Sequence, residues 1–345
     1  MACLLLLTGS NITLTPYPFP ELRFFPTMPI PDYNPVTVEG ADLGRHLFYD
    51  PVLSKDSTMS CASCHKQQAA FSDSPKAFSM GRNNIMIRNT LPLFNLAWYP
   101  ALFWDGRAAD IEAQVFHPVR DYNEMNLDWK TAAARLQKNE FYRKQFKNVF
   151  GTSRIDSIMV SYAIGQFLRT LISYQSKYDK VLSGNEFFSK DEYAGFNLVN
   201  DQTKGNCLHC HSTDGHALGT LLMFSNNGLD AVADADDFKD KGRGGVTGKK
   251  TDNGKFKVPS LRNLAFTAPY MHDGRFKTLE EVIDFYSEGV KPSPNLDPKM
   301  EYYPHADSKL NADEKKQVIA FLLTLSDSVF VAKQEFSNPF SSKAE

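Results

Sequence analysis

The chain of 345 residues is poor in net charge, in spare cysteine and in long apolar runs. A net charge of −2 gives no electrostatic reason to expect binding to nucleic acid or to an anionic membrane surface. The apolar run from Ala2 to Leu7 is far too short to span a bilayer. We interpret it as the remnant of an export signal, and a lipid-modified Cys3 is the alternative.

Cysteine is the informative residue type, because four of the five cysteines stand in two Cys-x-x-Cys-His motifs and leave no pair for a structural disulfide. Two thiols at this spacing reach both vinyl groups of a haem, and the following histidine ligates its iron. The pattern predicts two covalently attached haem c groups. Because the motif occurs twice, a zinc site or a redox-active cysteine pair is disfavoured. Haem attachment to thiols also predicts export to the periplasm. The attachment cysteines and iron ligands are Cys61, Cys64 and His65, then Cys207, Cys210 and His211.

Secondary-structure patterns indicate a mainly α protein. Seven prolines between residues 11 and 36 exclude regular structure there and predict an extended arm that wraps the body or stays mobile. Apolar periodicity predicts helices over residues 39–49, 156–178 and 312–325. Residues 230–254 are polar and rich in glycine, so a loop is predicted.

An internal duplication divides the chain. Trp104 and His272 stand at matching positions before Asp-Gly-Arg, and each of these blocks follows its own Cys-x-x-Cys-His motif. We therefore predict two tandem cytochrome c-like haem domains, at residues 38–180 and 181–330. A signal remnant and proline-rich arm at 1–37 precede them, and a tail at 331–345 follows.

The duplication also suggests how the sixth coordination position of each iron differs. Fourteen residues after Trp104 stands Pro118, and fourteen after His272 stands Tyr286. Proline offers no side-chain donor, which would leave the first haem open to a small molecule. The phenol of Tyr286 can ligate ferric iron, although an ordinary core tyrosine is the alternative.

These features resemble the bacterial dihaem cytochrome c peroxidase and MauG family over about residues 38 to 327. The resemblance is carried by both haem motifs and by an ordered set of short segments. They are Arg88-Asn89, Phe103 to Arg107, Gln114, Pro118, Asn123 to Met125, Leu261 to Asn263 and Thr267 to Gly274.

The resemblance implies a division of labour between the haems. Hydrogen peroxide reacts at the N-terminal haem, where Glu124 is the acid/base residue and Gln114 lines the pocket. The C-terminal haem supplies electrons, and Trp104 lies between the two. Asn89 and the backbone carbonyls of Thr267 and Pro269 match a calcium site of this family. One calcium with few protein ligands is chemically reasonable.

Three departures from the usual peroxidase pattern shape the prediction. Residues 78–84 contain no distal histidine, and Gly81 stands at its position although Met80 is near. Tyr286 replaces the usual axial methionine, with methionines 223, 271 and 300 as rival ligands. Both features resemble MauG. However, Asn206 precedes the second motif where MauG-like enzymes have a tryptophan, which argues against synthesis of a quinone cofactor.

The sequence therefore predicts a peroxidase that reduces hydrogen peroxide with electrons from a small donor protein, a cytochrome c or a cupredoxin. Without a distal histidine, it should react from the fully ferric state. A MauG-like oxidase of a partner protein and a non-enzymatic dihaem electron carrier are the alternatives. A homodimer is one assembly that the sequence leaves open.

Overall fold

The computed structural model describes residues 13–76, 78–79, 87–213, 217–301 and 309–341. The predicted export-signal remnant with Cys3 lies outside these residues. So does the segment that contains Met80 and Gly81.

The described chain is mainly helical, as predicted, with one short antiparallel sheet. No helix in the described ranges has the length and apolar character needed to cross a membrane. The α-helices are α1 (Val38–Tyr49), α2 (Ile111–Arg120), α3 (Trp129–Lys138), α4 (Glu140–Phe150), α5 (Ser157–Thr170), α6 (Lys177–Leu182), α7 (Lys190–Asn200), α8 (Gly244–Thr247), α9 (Leu279–Asp284), α10 (Pro298–Glu301), α11 (Ala312–Thr324) and α12 (Ser328–Ala332). The strands are β1 (Phe224–Ser225) and β2 (Phe256–Lys257).

Helices α1 and α5 cross closely in the first half of the chain. The Thr37 side chain caps α1 by accepting from the amide of Gly40 at 3.0 Å. Leu43 and Leu47 of α1 are fully buried. Between them, Gly44 faces the carbonyl oxygen of Ala163, which a Cβ at this position would approach to 1.9 Å. Glycine therefore permits the helix crossing.

The second half repeats this arrangement with α7 and α11. A Cβ on Gly195 of α7 would lie 1.9 Å from the carbonyl oxygen of Gln317 on α11. Val318 and Phe321 of α11 are fully buried at this contact. Each half thus has two helices that cross closely at a glycine.

Matching loops follow the matching helices. One β-bridge joins the ends of the segment Leu102–Ala108, and another joins the ends of Tyr270–Phe276. Asn95 and Asn263 precede these segments and adopt left-handed backbone conformations, with φ of 55° and 62°. The conformational repeat extends over both Asp-Gly-Arg blocks.

The helix predicted over residues 156–178 is wrong in its second part, because α5 ends at Thr170. The amides of Tyr174 and Gln175 both donate to the Asp327 carboxylate at 2.9 Å, which holds an extended segment. Ser176 then caps the separate helix α6. A carboxylate far along the chain thus overrides the local apolar pattern.

The described arm, residues 13–36, runs over both halves. The indole of Trp98 in the first half donates to the carbonyl of Pro26 at 3.0 Å. In the second half, the amide of Ala217 donates to the carbonyl of Phe24 at 2.6 Å. The arm is therefore hydrogen-bonded to both halves of the chain.

Candidate haem sites

The first Cys-x-x-Cys-His motif forms a tight turn that begins at Cys61. The Nδ1 atom of His65 lies 2.7 Å from the carbonyl oxygen of Phe71. A carbonyl only accepts, so Nδ1 carries the hydrogen and the lone pair of Nε2 is available to a metal. The backbone thus fixes the tautomer and orientation that an iron ligand needs.

The second motif repeats this geometry after a turn that begins at Cys207. The Nδ1 atom of His211 lies 2.8 Å from the carbonyl oxygen of Pro259. Burial lowers the pKa of His211 to about 4, so the imidazole is neutral and can ligate a metal.

The thiols of both motifs suit thioether attachment. The four described cysteines are free rather than paired in disulfides. Burial raises the pKa of both Cys61 and Cys207 to about 12. These surroundings disfavour thiolates and accommodate uncharged thioethers. The residues present therefore fit covalent haem at both motifs.

A predominantly apolar cavity opens at the second motif. Cys207, Cys210 and His211 line it together with Trp104 and Tyr286. A cofactor attached to these cysteines would occupy this cavity with Trp104 in its wall.

Tyr286 extends into the same cavity from the helix that follows Asp-Gly-Arg. The capping box at Thr278 starts α9 as predicted, but α9 ends at Asp284 and continues as a π-helical turn, Phe285–Gly289. Burial raises the pKa of Tyr286 to about 12. A phenol that is hard to ionise in isolation would need a cation such as ferric iron to become phenolate.

The side chain of Asn227 contacts two of the candidate iron ligands. The side-chain amide of Asn227 donates to the phenolic oxygen of Tyr286 at 3.1 Å and lies 3.6 Å from the sulfur of Met271. Met300 also lines the cavity. The sixth ligand of the second haem stays a prediction, with Tyr286 and two methionines at hand.

Glu124 lies beside the first haem motif. The loop after α2 folds back through a hydrogen bond from the amide of Met125 to the carbonyl of Pro118, at 3.1 Å. Burial raises the pKa of the Cys61 and Cys64 thiols, and the Glu124 carboxylate adds to this rise. It is therefore close to the place where the first haem attaches.

The proton affinity of Glu124 is unusual. Burial and then the Asp121 carboxylate raise its pKa to about 7, against a smaller opposing effect of Arg107. A carboxyl group with this pKa can both accept and release a proton near neutrality.

Helix α2 carries the other predicted pocket residues. Its N-cap Asp110 accepts from the amide of Ala113 at 2.7 Å. Gln114 is half-buried and stands one turn before Pro118, so both lie on one face of α2. Pro118 is itself inside the helix, as an internal proline.

Trp104 sits at the contact between the two halves. Its indole nitrogen donates to the carbonyl of Asn89 at 2.8 Å. Its ring meets that of His272, which stacks on Phe256 with 3.6 Å between ring centroids. Three aromatic rings thus join the first half to the second.

The predicted calcium ligands also converge here. The side-chain amide of Asn89 lies 2.6 Å from the carbonyl oxygen of Pro269 and 3.4 Å from that of Met271. Thr267 lines the same cavity. No cluster of three or more histidine, cysteine or acidic side chains able to hold a metal occurs in the described ranges. Calcium binding here would rely on neutral oxygens, and it stays a prediction.

Sequence reasoning missed Asn227 and Phe256. Asn227 meets Tyr286 across a long stretch of chain, and Phe256 meets His272 through the small sheet. No local motif marks either residue, so only the folded arrangement identifies them.

Comparison with known proteins shows the family to which the chain belongs. The model of the di-haem cytochrome c peroxidase family matches residues 38–187. The chain is 34% identical to methylamine utilization protein MauG of Methylophilus methylotrophus, over 87% of this chain and 86% of that protein. It is 32% identical to cytochrome c551 peroxidase of Nitrosomonas europaea, over 87% and 84%.

A solved structure has the same fold. It is a MauG-like protein associated with microbial copper homeostasis, with a TM-score of 0.82 and 33% identity, over 94% of this chain and 99% of that one. Fold and sites together define an oxidoreductase of the c-type cytochrome class that holds two haem c groups. The chain belongs to the di-haem cytochrome c peroxidase and MauG family.

Proposed function

We propose that this protein is a dihaem cytochrome c peroxidase that reduces hydrogen peroxide to water at the haem held by His65. The observation that carries the proposal is the Glu124 carboxyl group, whose pKa is raised to about 7 beside Cys61 and Cys64. Haem iron supplies the binding of peroxide and the electrons for cleavage of its O–O bond.

The protein's own contribution is proton movement. Ionised Glu124 takes a proton from one oxygen of hydrogen peroxide and returns it to the other, which leaves as water. Pro118 offers no ligating side chain, and Gln114 on the same helix face donates to or accepts from the bound oxidant. These three residues make the first site the catalytic one in our proposal.

The second site supplies electrons. His211 and Tyr286 would be the side chains that ligate its haem iron, and the aromatic contact of Trp104 with His272 supports passage of electrons between the halves. The donor is a small redox protein, a cytochrome c or a cupredoxin. We place the protein in the periplasm, which the attachment of haem to thiols at both motifs supports.

The repeated geometry supports a division into two domains. We propose the signal remnant and proline-rich arm at residues 1–37, the peroxidatic domain at 38–180, the electron-transfer domain at 181–330 and the tail at 331–345. The glycine-centred pairs α1–α5 and α7–α11 support two tandem, duplicated haem domains.

Calcium at Asn89, Thr267 and Pro269 would tie the two domains together beside Trp104. Elemental analysis of the purified protein should find about one calcium per chain. A chelator should remove it and slow electron passage without releasing either haem. A protein that holds no calcium and is indifferent to the chelator would contradict this assignment.

The proposed function is tested by the spin state of each ferric haem. Electron paramagnetic resonance of the resting protein should show one high-spin and one low-spin haem. Peroxide should change the high-spin signal without prior reduction. Two low-spin haems that ignore peroxide would instead indicate an electron carrier. Reaction only after half-reduction would contradict the ferric-state prediction and leave a reductively activated peroxidase.

A MauG-like oxidase is the second candidate, favoured by the 34% identity to MauG of Methylophilus methylotrophus. Asn206 stands before the second motif in place of the tryptophan that such enzymes use, which weighs against it. Co-purification with a partner whose tryptophan or tyrosine is modified would decide for the oxidase.

A further inference from the structure

Lys257 is a buried cation in the wall of the second haem cavity. Strand β2 places it there, and its side chain and backbone together are 6% exposed. It lines the cavity with Cys207, Cys210 and His211. Long charged side chains are rarely buried to this degree unless they are paired.

Within the described ranges, the Lys257 ammonium forms no ion pair with a carboxylate. Its nitrogen lies 4.1 Å from the centre of the Tyr99 ring, a cation–π contact. Burial lowers the pKa of Lys257 to about 7, with no acidic group to offset it. The described residues thus supply no carboxylate partner for this buried side chain.

The cavity around Lys257 has no acidic side chain among its lining residues. Its other cations are differently placed. The Arg262 guanidinium is paired with the Asp179 carboxylate, and Lys299 is part-exposed and donates to the carbonyl of His209 at 3.2 Å. Among the described residues that line the cavity, Lys257 is therefore the buried lysine or arginine without a carboxylate partner.

We propose that the Lys257 ammonium binds a propionate carboxylate of the haem attached to Cys207 and Cys210. This inference deepens the proposed function and rests on haem attachment at the second motif. Haem c carries two propionates, and an acid-free cavity with one unpaired buried ammonium complements one of them in charge. The partner is thus part of the cofactor rather than a separate ligand.

This pairing has a redox consequence. A positive charge near the haem favours the reduced form, because reduction adds negative charge. Lys257 therefore raises the reduction potential of the electron-transfer haem. Its backbone amide also donates to the carbonyl of Trp104 at 2.8 Å, so the same strand holds the tuning charge and the aromatic contact.

The test compares Lys257→Met with Lys299→Met in the dihaem protein. Methionine keeps the apolar stem and removes the charge at either position. In a spectroelectrochemical titration, Lys257→Met should lower the equilibrium constant for reduction of the His211-held haem at least tenfold. This corresponds to about 59 mV for one electron. The His65-held haem should shift less, and Lys257→Arg should restore the potential.

A shift no larger than that of Lys299→Met, or an equal shift of both haems, would overturn the pairing. Lys257→Gln serves as a second neutral variant if the methionine variant does not fold, and the same fall is expected. Mass spectrometry verifies that both haems remain attached. Because the titration uses no peroxide, its result is independent of whether the protein proves to be a peroxidase.

Discussion

The rings of Trp104 and His272, which occupy matching positions in the two halves, contact each other with 6.5 Å between centroids at an angle of 71°. Each lies within a segment whose ends are joined by a β-bridge, Leu102–Ala108 or Tyr270–Phe276, but only Trp104 has an indole ring. Its N–H is fixed on the carbonyl of Asn89 at 2.8 Å. Residues at matching positions of the two halves thus meet at the interface, where electrons are proposed to cross.

We expect Trp104→Phe to slow electron passage from the second haem to the first about tenfold, equivalent to about 1.4 kcal/mol in the barrier. The smaller ring loses the hydrogen bond to Asn89 and part of the contact with His272. Stopped-flow spectroscopy of the reduced protein with peroxide measures the rate. Trp98→Phe is the control, because Trp98 is also buried and also donates to a backbone carbonyl, that of Pro26, but is not among the residues that line the cavity. Equal rates in both variants would count against the route.

We expect Glu124→Gln to lower the rate of reaction with peroxide by ~10²–10⁴-fold, the usual contribution of a positioned acid/base group. The amide can neither take nor return the proton. Haem content and the spectrum of the His211-held haem should remain as in the parent protein. Glu140→Gln, at an exposed position on α4, provides the control. A rate within a few-fold of the parent would exclude Glu124 as the proton carrier.

The raised pKa of Glu124 predicts the pH profile. Only the ionised carboxylate accepts the proton, so the rate should fall as pH drops below about 7. Asp121→Asn removes the negative charge that helps to raise this pKa. The fall in rate on the acidic side should therefore occur at lower pH in this variant. Rapid-mixing measurements across pH 5 to 9 would reveal both (a range chosen to bracket the pKa). If the rate of Asp121→Asn fell at the same pH as that of the parent protein, the fall would be due to the titration of another group.

The haem motifs could be predicted from sequence because all their chemistry lies within five consecutive residues. The orientation of the His65 ring could not, because it depends on the hydrogen bond with the carbonyl of Phe71 across a turn. Helix α5 shows the same limit. Its apolar period continues past Thr170, but the distant Asp327 carboxylate captures the following amides. Local pattern predicts the helix and a tertiary contact ends it.

Site residues that come together from distant parts of the chain could be predicted only where the internal repeat or the family resemblance gave a matching residue for comparison. Tyr286 was found by counting from His272, which the duplication justifies. Asn227, which donates to the same phenol, has no such counterpart and was missed. Lys257 was missed for a related reason, since its burial follows from the small sheet between strands that sequence patterns barely indicate.

Tyr286→Phe should change the ferric signal of the His211-held haem from low-spin to high-spin, because the phenyl ring keeps the packing but lacks a donor oxygen. Electron paramagnetic resonance of the oxidised variant measures this change. Tyr270→Phe is a matched control, since its phenol lines the same cavity and donates to the carbonyl of Leu264 at 2.8 Å. If neither variant altered the spectrum, Met271 or Met300 would become the favoured ligand.

The two glycine-centred helix crossings predict a stability effect that is independent of the haem chemistry. Gly44→Ala and Gly195→Ala each place a methyl group against a backbone carbonyl that cannot rotate away, at 1.9 Å in the parent geometry. Each should cost about 1–3 kcal/mol of unfolding free energy, the usual range for overpacking. At about 2–4 °C per kcal/mol, the thermal midpoint should fall by several degrees.

Calorimetry of the holoprotein measures these midpoints, and Gly245→Ala is the control. A Cβ at Gly245 meets nothing nearer than the Lys241 side chain at 4.0 Å, so that variant should unfold near the parent temperature. Because the two crossings lie in different halves, the two variants should destabilise different helix pairs while leaving both haem spectra intact at low temperature. If the midpoints equalled that of Gly245→Ala, the paired helices α1 and α5, or α7 and α11, would have room to separate. The close helix crossing would then not be what holds each half together.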